Sequence, residues 1–337
     1  MIKNSDTIVS ILIPVTKNEA SCLPDTLRSV RNDVIRYGKK AEIIVIANCC
    51  KGTSDEVAQA IFSESAFKDS LVTGKVIHCE TPGKMFAVND GIDVANGQYL
   101  ILIDGDLQMD PGSIAWTIDA LKQPDTTVVS MHHTPIDGTL PKDRDLALVI
   151  RMNALRRHAF PEKYWLHGAY LGWSKDLLIE GSSLRFPAGA RVHEDNWLTA
   201  ILARDYGFQT IRVTKNYMAR FLPPQTWDDY FKQQWRYQFA HEDLATAFPD
   251  LAKYIPMIRD WTNNKYPEQW IDREWRETCI AQGIDFDGFI DTYKRVLQKV
   301  RDGRESSKEL LDENGVWRQQ VTTKHNILHE SEPTDVN

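Results

Sequence analysis

The sequence predicts an α/β fold: a mostly parallel central sheet with helices on both faces, plus a C-terminal helical extension. Two observations carry this. Over the first 130 residues, short apolar β-branched runs alternate with amphipathic stretches, the pattern of βαβ units. The chain then changes character, with nine of the ten tryptophans beyond residue 160 and aromatic residues recurring four apart after residue 226, as on a helix.

Each element has a local reason. Residues 8–15 form a short apolar β-branched run, and 42–47 (EIIVIA) a second, apolar throughout as in strands covered on both faces. Residues 19–37 place Leu23, Leu27, Val30, Val34 and Tyr37 at helical spacing, with Gly38 as a stop. Residues 55–62 and 84–96 read as helices, 75–78 and 128–132 as strands, and 99–103 (YLILI) as the most apolar strand. Later, 194–206 reads as a helix with Trp197, Leu198, Ile201 and Leu202 on one face, and 226–241 as another carrying Trp227, Phe231, Trp235 and Phe239. That stripe predicts core packing, with Trp235 the candidate for stacking on a ligand ring.

Composition narrows the class. Of 337 residues, 42% are apolar and 26% charged, which excludes a disordered, collagen-like or coiled-coil chain. The net charge is 40 − 47 = −7, against a generic nucleic-acid surface. Five cysteines at irregular spacing, with no C-x-x-C pair, argue against a disulfide scaffold or a thiolate zinc site. There is no signal-peptide pattern at the N-terminus and no window of about 18 apolar residues. A cytoplasmic protein without a transmembrane segment, with peripheral membrane contact as an option, is therefore expected.

The sharpest chemical signal is Asp104-Gly105-Asp106, immediately after YLILI. Residues i and i+2 of an extended chain share a face, which would pair two carboxylates at the C-terminal edge of a buried strand, where α/β sheets bind ligands. Such an oxygen pair suits Mn2+ or Mg2+, with phosphate oxygens and water completing the shell. The triplet alone also fits an acidic turn in which Asp106 or Asp110 caps a helix.

The surroundings add a resemblance. Residues 82–111 read PGKMFAVNDGIDVANGQYLILIDGDLQMDP. This is similar to the family 2 glycosyltransferases, in which a G-K-x-x-A-x-N-x-G helix precedes a strand ending in D-x-D and a following D-P. The matching residues are Gly83, Lys84, Ala87, Asn89, Gly91, Asp104, Asp106, Asp110 and Pro111. The opening ILIPVTKNEA resembles the family's I-P-x-x-N-E through Pro14, Asn18 and Glu19. Glu194-Asp195 before N-W-L resembles its E-D-x-x-L signature, and Gln233 to Tyr237 resembles Q-x-x-R-W with Tyr in the last place. Coverage runs from about residue 8 to 240.

The resemblance implies the Rossmann-like GT-A fold and metal-dependent sugar transfer from a nucleotide diphosphate sugar, UDP-sugar favoured, to an acceptor hydroxyl. It implies metal binding by Asp104 and Asp106. It implies donor contacts from Pro14, Val15, Asn18, Glu19, Asn48, Lys84, Asn89, Asp104, Gly105, Gln233 and Arg236. Asp195 would be the general base of an inverting reaction and Glu194 would contact the acceptor or orient the base. His193 or His241 could supply a third metal ligand.

Departures are local. The loop after the second strand carries Asn48 where the family often has an acid, and Asp55 matches a later T-D element. The implied organisation is a catalytic region at 1–222, its nucleotide-sugar half about 1–130 and acceptor half about 131–222. Helices at 223–300 would close the site, and 301–337 would be a peripheral or partly disordered tail. A retaining GT-A enzyme, a sugar-nucleotide nucleotidyltransferase and a non-catalytic nucleotide-binding scaffold are the rival readings. The acceptor is open among glycan, lipid-linked sugar, small molecule, protein and modified nucleic acid.

Overall fold

The structure, a computed structural model, describes residues 8–160, 164–190, 194–265 and 268–303. Its first half is β1 (Val9–Val15), α1 (Leu23–Tyr37), β2 (Ala41–Asn48), α2 (Ser54–Ser63), β3 (Val72–Cys79), α3 (Lys84–Val94) and β4 (Tyr99–Ile103). After these come β5 (Leu107–Met109), α4 (Ser113–Leu121), β6 (Val128–Pro135), α5 (Arg144–Ala159), β7 (Tyr170–Ser174), a small β8 (Leu178–Ile179) and β9 (Ser182–Ser183) hairpin, α6 (Glu194–Asp205) and β10 (Ile211–Phe221). Helices α7 (Trp227–Ala247), α8 (Pro249–Ala252), α9 (Tyr254–Lys265), α10 (Glu268–Ala281) and α11 (Phe286–Asp302) complete it.

Eight strands form one sheet in the order β3-β2-β1-β4-β7-β6-β10-β5. The first four are parallel, β7 runs antiparallel between β4 and β6, and β10 returns parallel to β6. The strands bury both faces by simple alternation. Ile11, Ile13, Ile43 and Val45 meet Leu27, Val30 and Ile118 on one side, while Leu12, Ile44 and Ile46 meet Val88, Ile92 and Leu198 on the other. Pro14 is tolerated inside the sheet because the β1–β4 ladder stops at Leu12–Leu102, so its missing N–H breaks no bond on that side.

Some boundaries differ from the sequence reading. Residues 17–19 form a separate 3-10 turn and α1 starts only at Leu23, because Thr16 and Glu19 close a capping box and Pro24 suits a helix start. Gly38 ends α1 at φ 72° as expected, donating to the carbonyls of Val34 and Ile35. The strand expected at 75–78 runs from Val72 to Cys79, and the helix expected at 226–241 continues to Ala247.

β7 and β10 were not predicted. Gly172 interrupts the apolar pattern of β7 and is required there: a Cβ would lie 2.6 Å from Thr117 Cγ2. In β10 the register shifts between Thr214 and Met218, which breaks the period-two signal.

Helices α5, α7, α10 and α11 share a core of Leu146, Val149, Met152, Tyr230, Trp275 and Tyr293. Trp227, Phe231 and Trp235 stack in sequence at 5.8 and 5.9 Å and join this core. Trp235 donates its indole N–H to the Val300 carbonyl at 3.0 Å. It is therefore a packing residue against α11, not the ring-stacking residue that the sequence suggested. Residues 304–337, His193 and the side chains of Phe239 and His241 lie outside the described residues.

Candidate active site

A cleft of about 1870 Å³ opens at the C-terminal edge of β1, β2 and β4 and is lined also by α5, α7, α9 and α11. Pro14, Val15, Asn18, Glu19, Asn48, Lys84, Asp104, Gly105, Asp106, Glu194, Asp195, Gln233 and Arg236 all line it. Asn89 does not. Its amide donates to and accepts from the backbone of Phe186 at 2.8 and 3.0 Å, tying α3 to the segment before α6.

Asp104 and Asp106 meet differently from the extended arrangement expected. The Leu107 N–H bonds the Asp104 carbonyl at 3.2 Å, so the two carboxylates flank a tight turn. Gly105 fits that turn against the end of β1, since a Cβ there would lie 2.7 Å from Val15 Cγ1. The Gly105 carbonyl is anchored by Thr26 Oγ1 at 2.9 Å. Glu19 is also committed to structure, as its carboxylate accepts from Thr16 N and Oγ1 at 2.7 and 2.6 Å. Asn48 holds the β3–α3 loop, donating to the Thr81 carbonyl at 2.7 Å and accepting from Gly83 N at 2.9 Å.

Lys84 sits at the centre. Its ammonium lies 2.6 Å from Asp104 Oδ1, contacts Glu194 Oε1, and donates to the Gly168 carbonyl at 3.0 Å. Burial opposes its charge, but Asp104 and Glu194 outweigh that and hold it above its usual pKa. Gly168 completes the arrangement from the other direction: its N–H donates to Asp195 Oδ2 at 3.1 Å. A Cβ at Gly168 would lie 2.7 Å from Glu194 Oε1, so a side chain there would displace the Glu194 carboxylate. Asp195 Oδ1 accepts from Asn196 N at 2.8 Å, as expected in a helix first turn. The D-x-D turn, Lys84 and the start of α6 thus form one connected network.

Residues 10–172 match the family model described as Glycosyl transferase family 2. That segment belongs to this family. Undecaprenyl-phosphate 4-deoxy-4-formamido-L-arabinose transferase of Pseudomonas aeruginosa (strain LESB58) is 30% identical over 116 residues, 34% of this chain and 33% of its own. The chain therefore spans about a third of the length of such curated relatives. The uncharacterized glycosyltransferase EpsJ of Bacillus subtilis (strain 168) is 25% identical over 272 residues, 74% of each chain. Among solved structures, mannosyltransferase PcManGT from Pyrobaculum calidifontis, in complex with GDP-Man and Mn2+, has a TM-score of 0.55 at 16% identity, covering 90% of this chain and 85% of its own. The fold is GT-A, with added C-terminal helices.

The family 2 domain offers a fitting donor set for a divalent ion. Burial pushes the Asp104 carboxyl above its usual pKa; Lys84 opposes that, and the negative Asp106 and Glu194 beside it add to it. Such crowding of hard oxygen donors suits Mn2+ or Mg2+. Among the described residues no group of three His, Cys, Asp or Glu side chains is placed to hold a metal ion; Asp104 and Asp106 are two oxygen donors that could face one.

Sequence reasoning missed several residues of the cleft. Gly168 bonds both Lys84 and Asp195 through its backbone, and the only trace in the sequence is a glycine beside His167. Arg156, Arg157 and His133 also line the cleft. The two arginines read locally as a basic last turn of α5, favourable to any helix C-terminus.

Proposed function

We propose that this protein is a metal-dependent inverting glycosyltransferase that moves a sugar from a nucleotide diphosphate sugar to an acceptor hydroxyl. The carrying observation is the network in which Lys84 joins Asp104 of the turn to Glu194 of α6, with Asp195 alongside on Gly168. A UDP-sugar is the favoured donor. The GDP-Man of the mannosyltransferase with a similar fold keeps guanine among the bases to be tested.

The chemistry follows from the residues. Asp104 and Asp106 would hold Mn2+ or Mg2+, which when bound supplies Lewis-acid stabilisation to the departing diphosphate. Lys84 adds a fixed positive charge beside that position, and Gln233 and Arg236 approach from α7. Asp195 accepts the proton of the acceptor hydroxyl as its oxygen attacks the anomeric carbon, and the bond from that carbon to the diphosphate breaks. Attack from the side opposite the leaving group inverts the anomeric centre. Glu194, held by Lys84, fixes the entry to α6 and so the aim of Asp195. Helices α7–α11 act as the acceptor-side wall.

The test is thermal stabilisation by UDP, GDP, dTDP and CDP and their sugars, with and without Mn2+. A ligand at a hundredfold excess over its Kd adds about 2.7 kcal/mol. A Mn2+-dependent shift for one base, lost in Asp106→Ala, is the expected result. No shift with any nucleotide in folded protein would sink the proposal. The anomeric configuration of the product, read by NMR, separates inversion from retention.

A further inference from the structure

The cleft is divided by charge. Its lining carboxylates, Glu19, Asp104, Asp106, Glu194 and Asp195, all belong to the β1 loop, the D-x-D turn and the start of α6. The helical wall carries Arg156 and Arg157 on α5, Arg259 on α9 and Arg301 on α11, with His133 of β6 beside Arg157, and among the residues of α5, α7, α9 and α11 whose side chains are described no carboxylate lines it. This is unexpected in a chain of net charge −7.

Among the described residues the arginines on this wall have almost no counter-charge. Arg156, Arg157 and Arg301 form no ion pair with a carboxylate among the described residues, and Arg259 reaches only the exposed Asp260 at 3.8 Å. Arg156 lies with its guanidinium carbon 5.6 Å from the Trp275 ring centroid, and Arg157 donates to His133 Nε2. Both are half-buried. Half-burying a guanidinium without a counter-ion is unfavourable, and the described neighbours that hold them, Trp275 and His133, carry no negative charge. A planar, five-donor cation in that setting matches phosphate oxygens.

The groups proposed for the donor diphosphate come from the D-x-D turn, α3 and α7, whereas these arginines come from α5, α9 and α11. The volume of about 1870 Å³ also exceeds the roughly 300–1,000 Å³ typical of a single-ligand pocket.

We infer that this wall binds a phosphate monoester carried by the acceptor. The inference rests on the glycosyltransferase reading for its meaning, but the anion site itself can be tested separately. Ile150, Tyr293 and Leu297 line the same wall, so a phosphate on a soluble molecule and one on a lipid share the required chemistry.

The experiment uses the full chain and isothermal calorimetry. Glycerol 3-phosphate is titrated into protein saturated with UDP and Mn2+, and again into protein without nucleotide, with glycerol as the uncharged control. Phosphatidylcholine vesicles with and without phosphatidic acid form the lipid arm, read by co-sedimentation. Glycerol 3-phosphate or phosphatidic acid vesicles should bind and their uncharged counterparts should not. Arg156→Gln and Arg157→Gln should each weaken the binding by about tenfold, the loss of one charged hydrogen bond, with UDP·Mn2+ affinity unchanged. The exposed Arg301→Gln should weaken it less and guards against misfolding of the α5 variants. Binding of the soluble ester alone assigns a soluble acceptor, and binding of the vesicles alone assigns a lipid one. No binding of either phosphate, or equal binding by wild type and all three arginine variants, overturns the inference. Failure of UDP·Mn2+ to bind would instead remove the glycosyltransferase reading, and the nucleotide-free titration would still decide the anion site.

Discussion

The two sides of the cleft are built in opposite ways. On the donor side, Pro14, Asn48, Lys84 and Asp104 sit at the ends of adjoining parallel strands or the helix start beside them. The backbone ladder fixes their spacing, Lys84 pairs with Asp104, and Asn48 is bonded to the backbone of Thr81 and Gly83. On the helical side, the lining comes from α5, α7, α9 and α11, of which α5, α7 and α11 share an aromatic core around Trp275, and Arg156, Arg157 and Arg301 reach the cleft without a carboxylate partner among the described residues. A rigid sheet edge suits a substrate part that never varies, the diphosphate. A wall of helices can change its side chains without disturbing the sheet, which is where acceptor specificity can diverge.

The largest expected effects lie on the donor side. Asp195→Asn should lower sugar transfer by about 10²–10⁴-fold, the usual contribution of a positioned general base, with the circular dichroism spectrum retained. Nucleotide release from the donor sugar measures it; activity within threefold of wild type would remove Asp195 from the mechanism. On the helical side, Trp275→Ala deletes a ring 3% exposed that donates to the Met152 carbonyl at 3.1 Å. The expected cost is about 3–5 kcal/mol in urea unfolding, with UDP·Mn2+ affinity intact in the protein that stays folded. Loss of nucleotide affinity in step with stability would mean that the two sides do not act separately.

Gly168→Ala probes the junction. The added methyl meets the far end of the Glu194 side chain, which can move, so unfolding should shift by less than about 1 kcal/mol. That movement strains the contact with Lys84, and kcat should fall by about tenfold or more, since misplaced catalytic groups are costly. A stability loss with unchanged kcat would contradict it.

Two smaller effects test the sheet itself. Glu42 is 5% exposed and accepts from Asn96 N, Ser10 Oγ and Lys75 Nζ. Burial raises its pKa, but these donors more than offset that, leaving it below the usual carboxylate range. A carboxyl with a depressed folded pKa contributes stability that is complete above its unfolded value and is lost as pH falls through the folded one. Glu42→Gln should therefore be less stable at neutral pH by about 1–3 kcal/mol and flatten the decline below about pH 4.5. Parallel decline in both proteins would exclude Glu42 as a source of the acid limb. Cys49, directly after β2, has φ 53°, a conformation costing a side chain about 1 kcal/mol. Cys49→Gly should recover a few tenths of that after the entropy cost of glycine, seen as a raised urea midpoint.

Local chemistry made much of this legible. The βαβ half could be read because strands covered on both faces are mostly apolar, as in the IIVIA of β2 and YLILI of β4. The D-x-D turn and the E-D pair could be read because each sits within a few residues. Asn89 shows the limit, since its place in a motif could not reveal that both ends of its amide are used by Phe186. Trp235 shows another: spacing put it on a helix face, but only packing against Val300 and Gly303 said which face.

What the sequence determined by itself, then, is the order of strands and helices from β1 to β4 and the two carboxylate motifs, because both follow from neighbours close along the chain. The tertiary structure alone decided the insertion of β7 between β4 and β6, the meeting of Gly168 with Lys84 and Asp195, and the gathering of arginines from three helices on one wall. Those contacts join residues tens to more than a hundred positions apart. No local propensity records such a pairing; it exists only once burial has fixed where each helix lies against the sheet.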